Sequence, residues 1–202
     1  MNRLALFAEL SAALSARERA ILGPPEPGVR PASVLVPFYE DAGAPHLLFL
    51  KRPQGEYRHA GQVAFPGGKR EGRETALACA LREAHEEVGL EAKDGEVLGE
   101  LDEYDTVVTS FRVTPIVARI PFPYPLRPDP REVEKLLYVP LSKLLDPRIF
   151  REEKREAFGR TWKVGFYDIG PDPVWGVTAG MLGPLLEIVR ALPCMAAATG
   201  AA

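Results

Sequence analysis

Amide side chains are almost missing from this chain: Asn2, Gln54 and Gln62 are the full complement, against 20 prolines. Few thermolabile groups and many restricted backbone positions suit a heat-tolerant protein. Cysteine is scarce as well. Cys79 and Cys194 are the two present, which excludes a disulfide framework and fits a reducing cytoplasm; Cys79 falls in a helical stretch and reads as packing. No apolar run approaches the roughly 18 residues of a membrane span. Met1 to Leu22 sets Leu4, Phe7, Leu10 and Leu14 near helical spacing with Glu9, Arg17 and Glu18 between and after them, an amphipathic helix and not a secretory leader. Neither sign of charge dominates. A net charge of −3 excludes a chain built to coat nucleic acid but leaves room for one phosphate-bearing ligand. Internal repeats and a regular βαβ rhythm are also missing.

What is present reads as one globular domain over residues 1–202, with hydrophobic residues at 46% and charged ones at 26%, the balance of a chain that can bury a core. A helix over about 3–20 and the turn-rich Gly23-Pro24-Pro25-Glu26-Pro27-Gly28 make up an amino-terminal segment of residues 1–30. Strands are expected at 32–38, 46–51, 62–65, 96–101 and 111–120, with short strand and helix pieces at 132–138 and 141–145. Pro121 to Pro125 is an extended connector. A hairpin is expected at 158–168, a closing helix at 178–192 and a frayed tail at 196–202. Strands mixed with a few helices predict an α/β fold with a mixed sheet between helices.

The densest chemistry runs from Gly68 to Leu90. Gly68 is followed after five residues by Glu74, and after seven more by Arg82-Glu83-Ala84-His85-Glu86-Glu87-Val88-Gly89-Leu90. Wound at 100° per residue, 74–88 places Leu77, Leu81, Ala84 and Val88 within about 60° of one another, a stripe for the core. Glu83 and Glu87 share a neighbouring flank with Ala76 and Ala80, and Glu86 lies nearer water. Carboxylates three and four residues apart repel on an isolated helix, and a divalent cation reverses that penalty. Oxygen donors without a thiol or imidazole cluster suit Mg²⁺ or Mn²⁺. A lone glutamate on a helix is usually just its solvated face. Three behind the glycine-rich Phe65-Pro66-Gly67-Gly68-Lys69-Arg70-Glu71-Gly72-Arg73 point to a site. Gly89 is the expected stop.

This stretch resembles the Nudix box, G-x5-E-x7-R-E-U-x-E-E-x-G-U with U a bulky aliphatic; Ala84 is the one fixed position that departs. The resemblance implies an α/β/α Nudix sandwich and metal-dependent cleavage of a diphosphate in a nucleoside diphosphate derivative. It implies Glu83 and Glu87 as chief metal ligands with Glu86 assisting. Arg82 would hold the carboxylates in place. The attacking water needs a carboxylate to take its proton: Glu86, or Glu103, Asp105, Glu132 or Glu134 from outside the box. Upstream, Arg52, Gly61, Val63 and Phe65-Pro66-Gly67-Gly68 resemble the signature of the coenzyme A pyrophosphatase branch. Pro53 stands where serine is usual, and Tyr57 where arginine is usual, with Arg58 next. Residues 139–147 and 174–179 resemble that branch too.

The resemblance implies coenzyme A or its derivatives as substrate, cut to 4′-phosphopantetheine and adenosine 3′,5′-bisphosphate. Lys51, Arg52, Arg58, His59, Lys69 and Arg70 form a local basic cluster, in which Arg52, Arg58, His59 and Lys69, with Gly67 and Gly68, are the expected substrate contacts. The partner expected is a small-molecule nucleotide, with no nucleic acid and no membrane. The rivals are a Nudix enzyme for ADP-ribose or another dinucleotide, and a non-catalytic nucleotide-binding module on the same fold.

Overall fold

The computed structural model describes residues 3–55, 59–106, 110–157 and 159–199. In chain order the elements are α1 (Arg3–Ala16), β1 (Arg30–Asp41), β2 (Ala44–Lys51), β3 (Val63–Ala64), β4 (Gly67–Lys69), α2 (Ala76–Val88), β5 (Glu96–Glu100), β6 (Tyr104–Asp105) and β7 (Phe111–Arg119). There follow β8 (Lys135–Pro140), α3 (Leu141–Leu144), β9 (Phe150–Ala157), β10 (Arg160–Tyr167), β11 (Val174–Trp175), α4 (Gly176–Arg190) and α5 (Pro193–Thr199).

Among the described residues, eight strands form one mixed sheet. Its path is β3-β2-β1-β7-β5, with β4 also on β1, β6 on β7 and β8 on β2. β1 and β7 run parallel from Arg30↔Phe111 to Phe38↔Arg119. Along its other edge β1 changes partner, pairing β4 over Ala32–Val34 and β2 over Phe38–Asp41. The sheet therefore splays where β1 and β2 part, and the segment carrying Gly67 and Gly68 fills the gap.

Alternation along β1 sends Leu35 and Tyr39 to one face and Val36 and Phe38 to the other. The first face packs Leu48, Leu50 and Ile116 against Ala80, Ala84 and Val88 of α2. The second packs Leu47, Phe49 and Val117 with Leu6, Leu10 and Leu14 of α1 and Leu182, Leu185 and Leu186 of α4. Helices thus cover both faces of a mixed sheet, as expected. A smaller sheet, β11-β10-β9, stands beside it.

Four of the differences from the sequence expectation bear on how the chain is tied together. α1 stops at Ala16 because the next residues bind elsewhere: Arg17 Nη1 and the Ala20 N–H both donate to Asp102 Oδ1, at 2.9 and 2.8 Å. β8 begins at Lys135 and not 132, since Glu132 and Val133 close a turn on the Asp129 carbonyl. The hairpin starts at Phe150, because the polar β9 sequence FREEKREA has no apolar alternation to announce it. Residues 196–199, expected to fray, continue α5, which packs on α1 and whose Cys194 N–H donates to Glu9 at 2.9 Å.

Candidate active site

Helix α2 is tightly delimited. Thr75 caps its start by accepting from the Ala78 N–H at 3.1 Å. Gly89, at φ 72°, ends it with N–H bonds from Gly89 to His85 O and from Leu90 to Ala84 O. The buried face is Cys79, Ala80, Ala84, Glu87 and Val88, while Leu77 is 36% exposed. The buried face is therefore rotated from the expected stripe by about 65° at 100° per residue, keeping Ala84 and Val88 inside and turning Leu77 out. Alanines at 76, 80 and 84 permit the close approach to the sheet that leucines would prevent, and that approach carries Glu87 inside.

Glu87 is 1% exposed. The Gly67 N–H donates to its Oε2 at 2.8 Å, and Arg52 Nη2 donates to its Oε1 at 2.9 Å and to the Gly67 carbonyl at 3.2 Å. A side chain at Gly67 would place Cβ 2.5 Å from the Ser33 carbonyl oxygen, and one at Gly68 would sit 2.5 Å from the Glu83 carboxyl group. Gly67 is a steric necessity, hemmed in by backbone, and a side chain at Gly68 would displace the Glu83 carboxyl group: Glu83 and Glu87 lie directly against this backbone. Arg82 gathers the rest. Its guanidinium forks onto Glu74 at 2.7 and 3.1 Å, reaches Glu83 at 2.9 Å and Glu86 at 2.8 Å, and donates to the Lys69 carbonyl at 3.1 Å. Glu86 is 53% exposed and leans toward water, away from Glu87.

The electrostatics follow from burial. Hydrogen bonds from Arg82 hold the Glu74 carboxyl down to about 2. Burial pushes the Glu87 carboxyl up to about 7, against the opposing pull of Arg52 and the Gly67 N–H. Burial also raises Glu83, against Arg82. These two carboxylates lie where more positive charge would be welcome. Among the described residues no three acidic, imidazole or thiol side chains already converge on one point. Arg82 is instead the cation standing among Glu74, Glu83 and Glu86, a stand-in showing that this flank accepts positive charge. The donors are carboxylate and peptide oxygens, a set that fits Mg²⁺ or Mn²⁺.

A cleft of about 1400 Å³ opens beside the glycine turn. Arg52, His59, Gly67, Gly68 and Lys69 line it; Glu83, Glu86 and Glu87 are not among its lining residues, though Glu83 and Glu87 lie against the backbone of Gly67 and Gly68. Arg58 lies outside the described residues. His59 is exposed, with Nδ1 3.0 Å from Gln62 Oε1. Lys69 is exposed. The expected basic cluster is otherwise dispersed. Lys51 is buried between Glu134 and Asp172, each at 3.0 Å, and Arg70 donates to Ser33 Oγ and Thr114 Oγ1. The stretches resembling the coenzyme A branch reach the cleft through Asp146, Pro147 and Trp175 to Ala179. Sequence reading missed Trp162 and Lys163 of β10 and Arg155 of β9, which also line it, because the hairpin carries no motif that could have signalled them.

Comparison with known proteins agrees with this geometry. The family described as NUDIX domain matches residues 29–159. An uncharacterized Nudix hydrolase, NudL, of Enterobacter sp. (strain 638) is 37% identical over 157 residues, covering 77% of this chain and 81% of that one. NudL of Escherichia coli (strain K12) is 36% identical over 163 residues with the same coverage. Among solved structures, the Nudix hydrolase RenU of M. smegmatis aligns with a TM-score of 0.57 at 22% identity, covering 82% of this chain and 88% of that one. A MutT/nudix family protein from Enterococcus faecalis aligns with a TM-score of 0.53 at 14% identity, over 96% and 74%. With the box on its helix, the glycines against its carboxylates and the family match spanning most of the sheet, the chain belongs to the Nudix family of hydrolases and is a pyrophosphohydrolase.

Proposed function

We propose that the substrate is coenzyme A or one of its derivatives, cut at the diphosphate to 4′-phosphopantetheine and adenosine 3′,5′-bisphosphate. The observation that carries this reading is the cleft itself. Lys69 beside the glycine turn and Arg155 and Lys163 on the hairpin line it, with Phe111, Val113, Trp162 and Trp175 among its apolar walls. A ligand with a diphosphate, a further phosphate and a long uncharged arm suits that lining. The residues resembling the coenzyme A branch, Arg52 and Gly67-Gly68, line it too.

Glu83 and Glu87 would hold Mg²⁺ or Mn²⁺, with Glu86 assisting. When bound, such an ion neutralises phosphate charge and makes a water more acidic. Arg82 keeps Glu74, Glu83 and Glu86 aligned, and Arg52 keeps Glu87 against the Gly67 peptide. His59, Lys69 and Arg58 are the substrate contacts proposed beside Arg52. The partner is a small-molecule nucleotide, with no role for nucleic acid or membrane, and the setting is the cytoplasm; among the described residues no helix is long and apolar enough to cross a membrane.

The test is turnover of coenzyme A, 3′-dephospho-coenzyme A and ADP-ribose with Mg²⁺ or Mn²⁺. Coenzyme A is expected to lead in kcat/KM by about tenfold or more, since a lost phosphate leaves site cations unpaired. A preference for ADP-ribose would replace the substrate assignment. Ligand binding without product from any of the three would mark a nucleotide-binding module.

A further inference from the structure

Hydrolysis is speeded by a positioned base that takes the water's proton, and five carboxylates were in view from sequence. The fold separates them. Glu103 accepts from the Leu22 N–H at 3.2 Å, on the amino-terminal segment. Asp105 is forked by Arg112, both bonds at 2.8 Å. Glu134 pairs with Lys51 at 3.0 Å. Glu86 is bound to Arg82 at 2.8 Å. Glu132 remains: it is 52% exposed, with Arg52 Nη1 standing 4.0 Å from its Oε2.

Its location is built, not incidental. The segment leading to it is fastened to the end of α2, by the Arg127 N–H to Val88 O at 2.8 Å and the Asp129 N–H to Glu87 O at 2.9 Å. Gly89 leaves room for this, since a Cβ there would meet the Arg127 backbone at 3.1 Å. The turn then closes on itself, Glu132 and Val133 N–H to Asp129 O at 3.0 and 2.8 Å, and Glu134 N–H binds Lys51 O at 2.8 Å. Glu132 is held between these anchors. Arg52 bridges it to Glu87, the most deeply buried carboxylate of the box.

We propose that Glu132 is the catalytic base, a loop carboxylate held beside the box by the α2 terminus and by Arg52. The step balances within the site. A water O–H bond breaks and its proton passes to the Glu132 carboxylate. The water oxygen bonds to phosphorus while the bridging P–O bond breaks, its electron pair leaving with the departing phosphate. The inference rests on the pyrophosphohydrolase reading but not on the choice of coenzyme A.

The test is Glu132→Gln in the full-length protein, with Glu103→Gln as control. A positioned base contributes typically 10²–10⁴-fold, so kcat is expected to fall by about that factor while KM changes by less than about threefold. Mn²⁺ binding, followed by electron paramagnetic resonance without substrate, is expected to be unchanged in Glu132→Gln, and the control to match wild type in both assays. A kcat within about threefold of wild type would overturn the assignment. So would parallel loss of Mn²⁺ binding, which would make Glu132 a metal ligand. Thermal melting separates either result from misfolding, and Glu132→Asp gives a second reading if Gln does not fold. If wild type ignores coenzyme A, the same comparison runs on whichever diphosphate it cleaves, so the two readings fail separately.

Discussion

Arg82 binds Glu74, Glu83 and Glu86 with one guanidinium, and Glu74 takes its fork. A planar fork matched to a carboxylate is the strongest neutral-pH contact a side chain makes, and it gives Glu74 a distinctive titration. Its folded value of about 2 lies below the ordinary 4.5. A depressed carboxyl contributes stability that is present above the unfolded value and lost as pH falls through the folded one. Carboxyl NMR should find Glu74 still ionised at pH 3, and Arg82→Lys should return it toward 4.5; an ordinary midpoint in wild type would contradict the geometry. Arg52 shows why residue roles are harder to read than residue types. The sequence marks it as a phosphate contact, and it does line the cleft. Its partners Gly67 and Glu87 lie 15 and 35 positions away, and no local pattern links them.

Helix α2 positions Arg82, Glu83, Glu86 and Glu87, so its own ends matter. Thr75→Ala removes the cap bond to Ala78 and should cost about 1 kcal/mol, seen as a fall of about 2–4 °C in Tm for a chain of this size. Steady-state kcat should be unchanged, because Thr75 touches neither the carboxylates nor the cleft. A fall in kcat with no change in Tm would contradict that separation. The existence of this helix and its glycine stop were legible because periodicity and capping are local. Its buried face was legible in part: Ala84 and Val88 pack as expected and Leu81 lies against that core, while Leu77 turns outward and Ala80 goes in because small side chains permit the closest approach. Short β-pieces fared likewise: β4 exists only because β1 releases an edge to it.

For the molecule as a whole, Glu83 and Glu87 come together only in the folded state, so a metal held by them would be linked to folding. A ligand bound only by the native state stabilises it by RT ln(1 + [L]/Kd), about 2.7 kcal/mol at a hundredfold excess over Kd. Mg²⁺ or Mn²⁺ should therefore raise the wild-type Tm by several degrees, and Glu83→Gln should abolish most of that shift without lowering the metal-free Tm. An equal shift in the variant would move the metal elsewhere. The cleft is also a property of the whole, since β1, β7, β10 and α4 all contribute walls. Nothing within any one of them foretells it.

Read as a string, the chain already specified its family and the order of its main elements, because box spacing, caps and alternation are encoded between near neighbours. Folding alone settled that Leu77 turns outward while Glu87 goes inside, that Arg52 clamps Glu87, that Glu132 among the available carboxylates comes to stand beside them, and that a tryptophan-bearing hairpin walls the cleft. Those outcomes depend on contacts between residues far apart in sequence, where packing and burial, not local preference, decide.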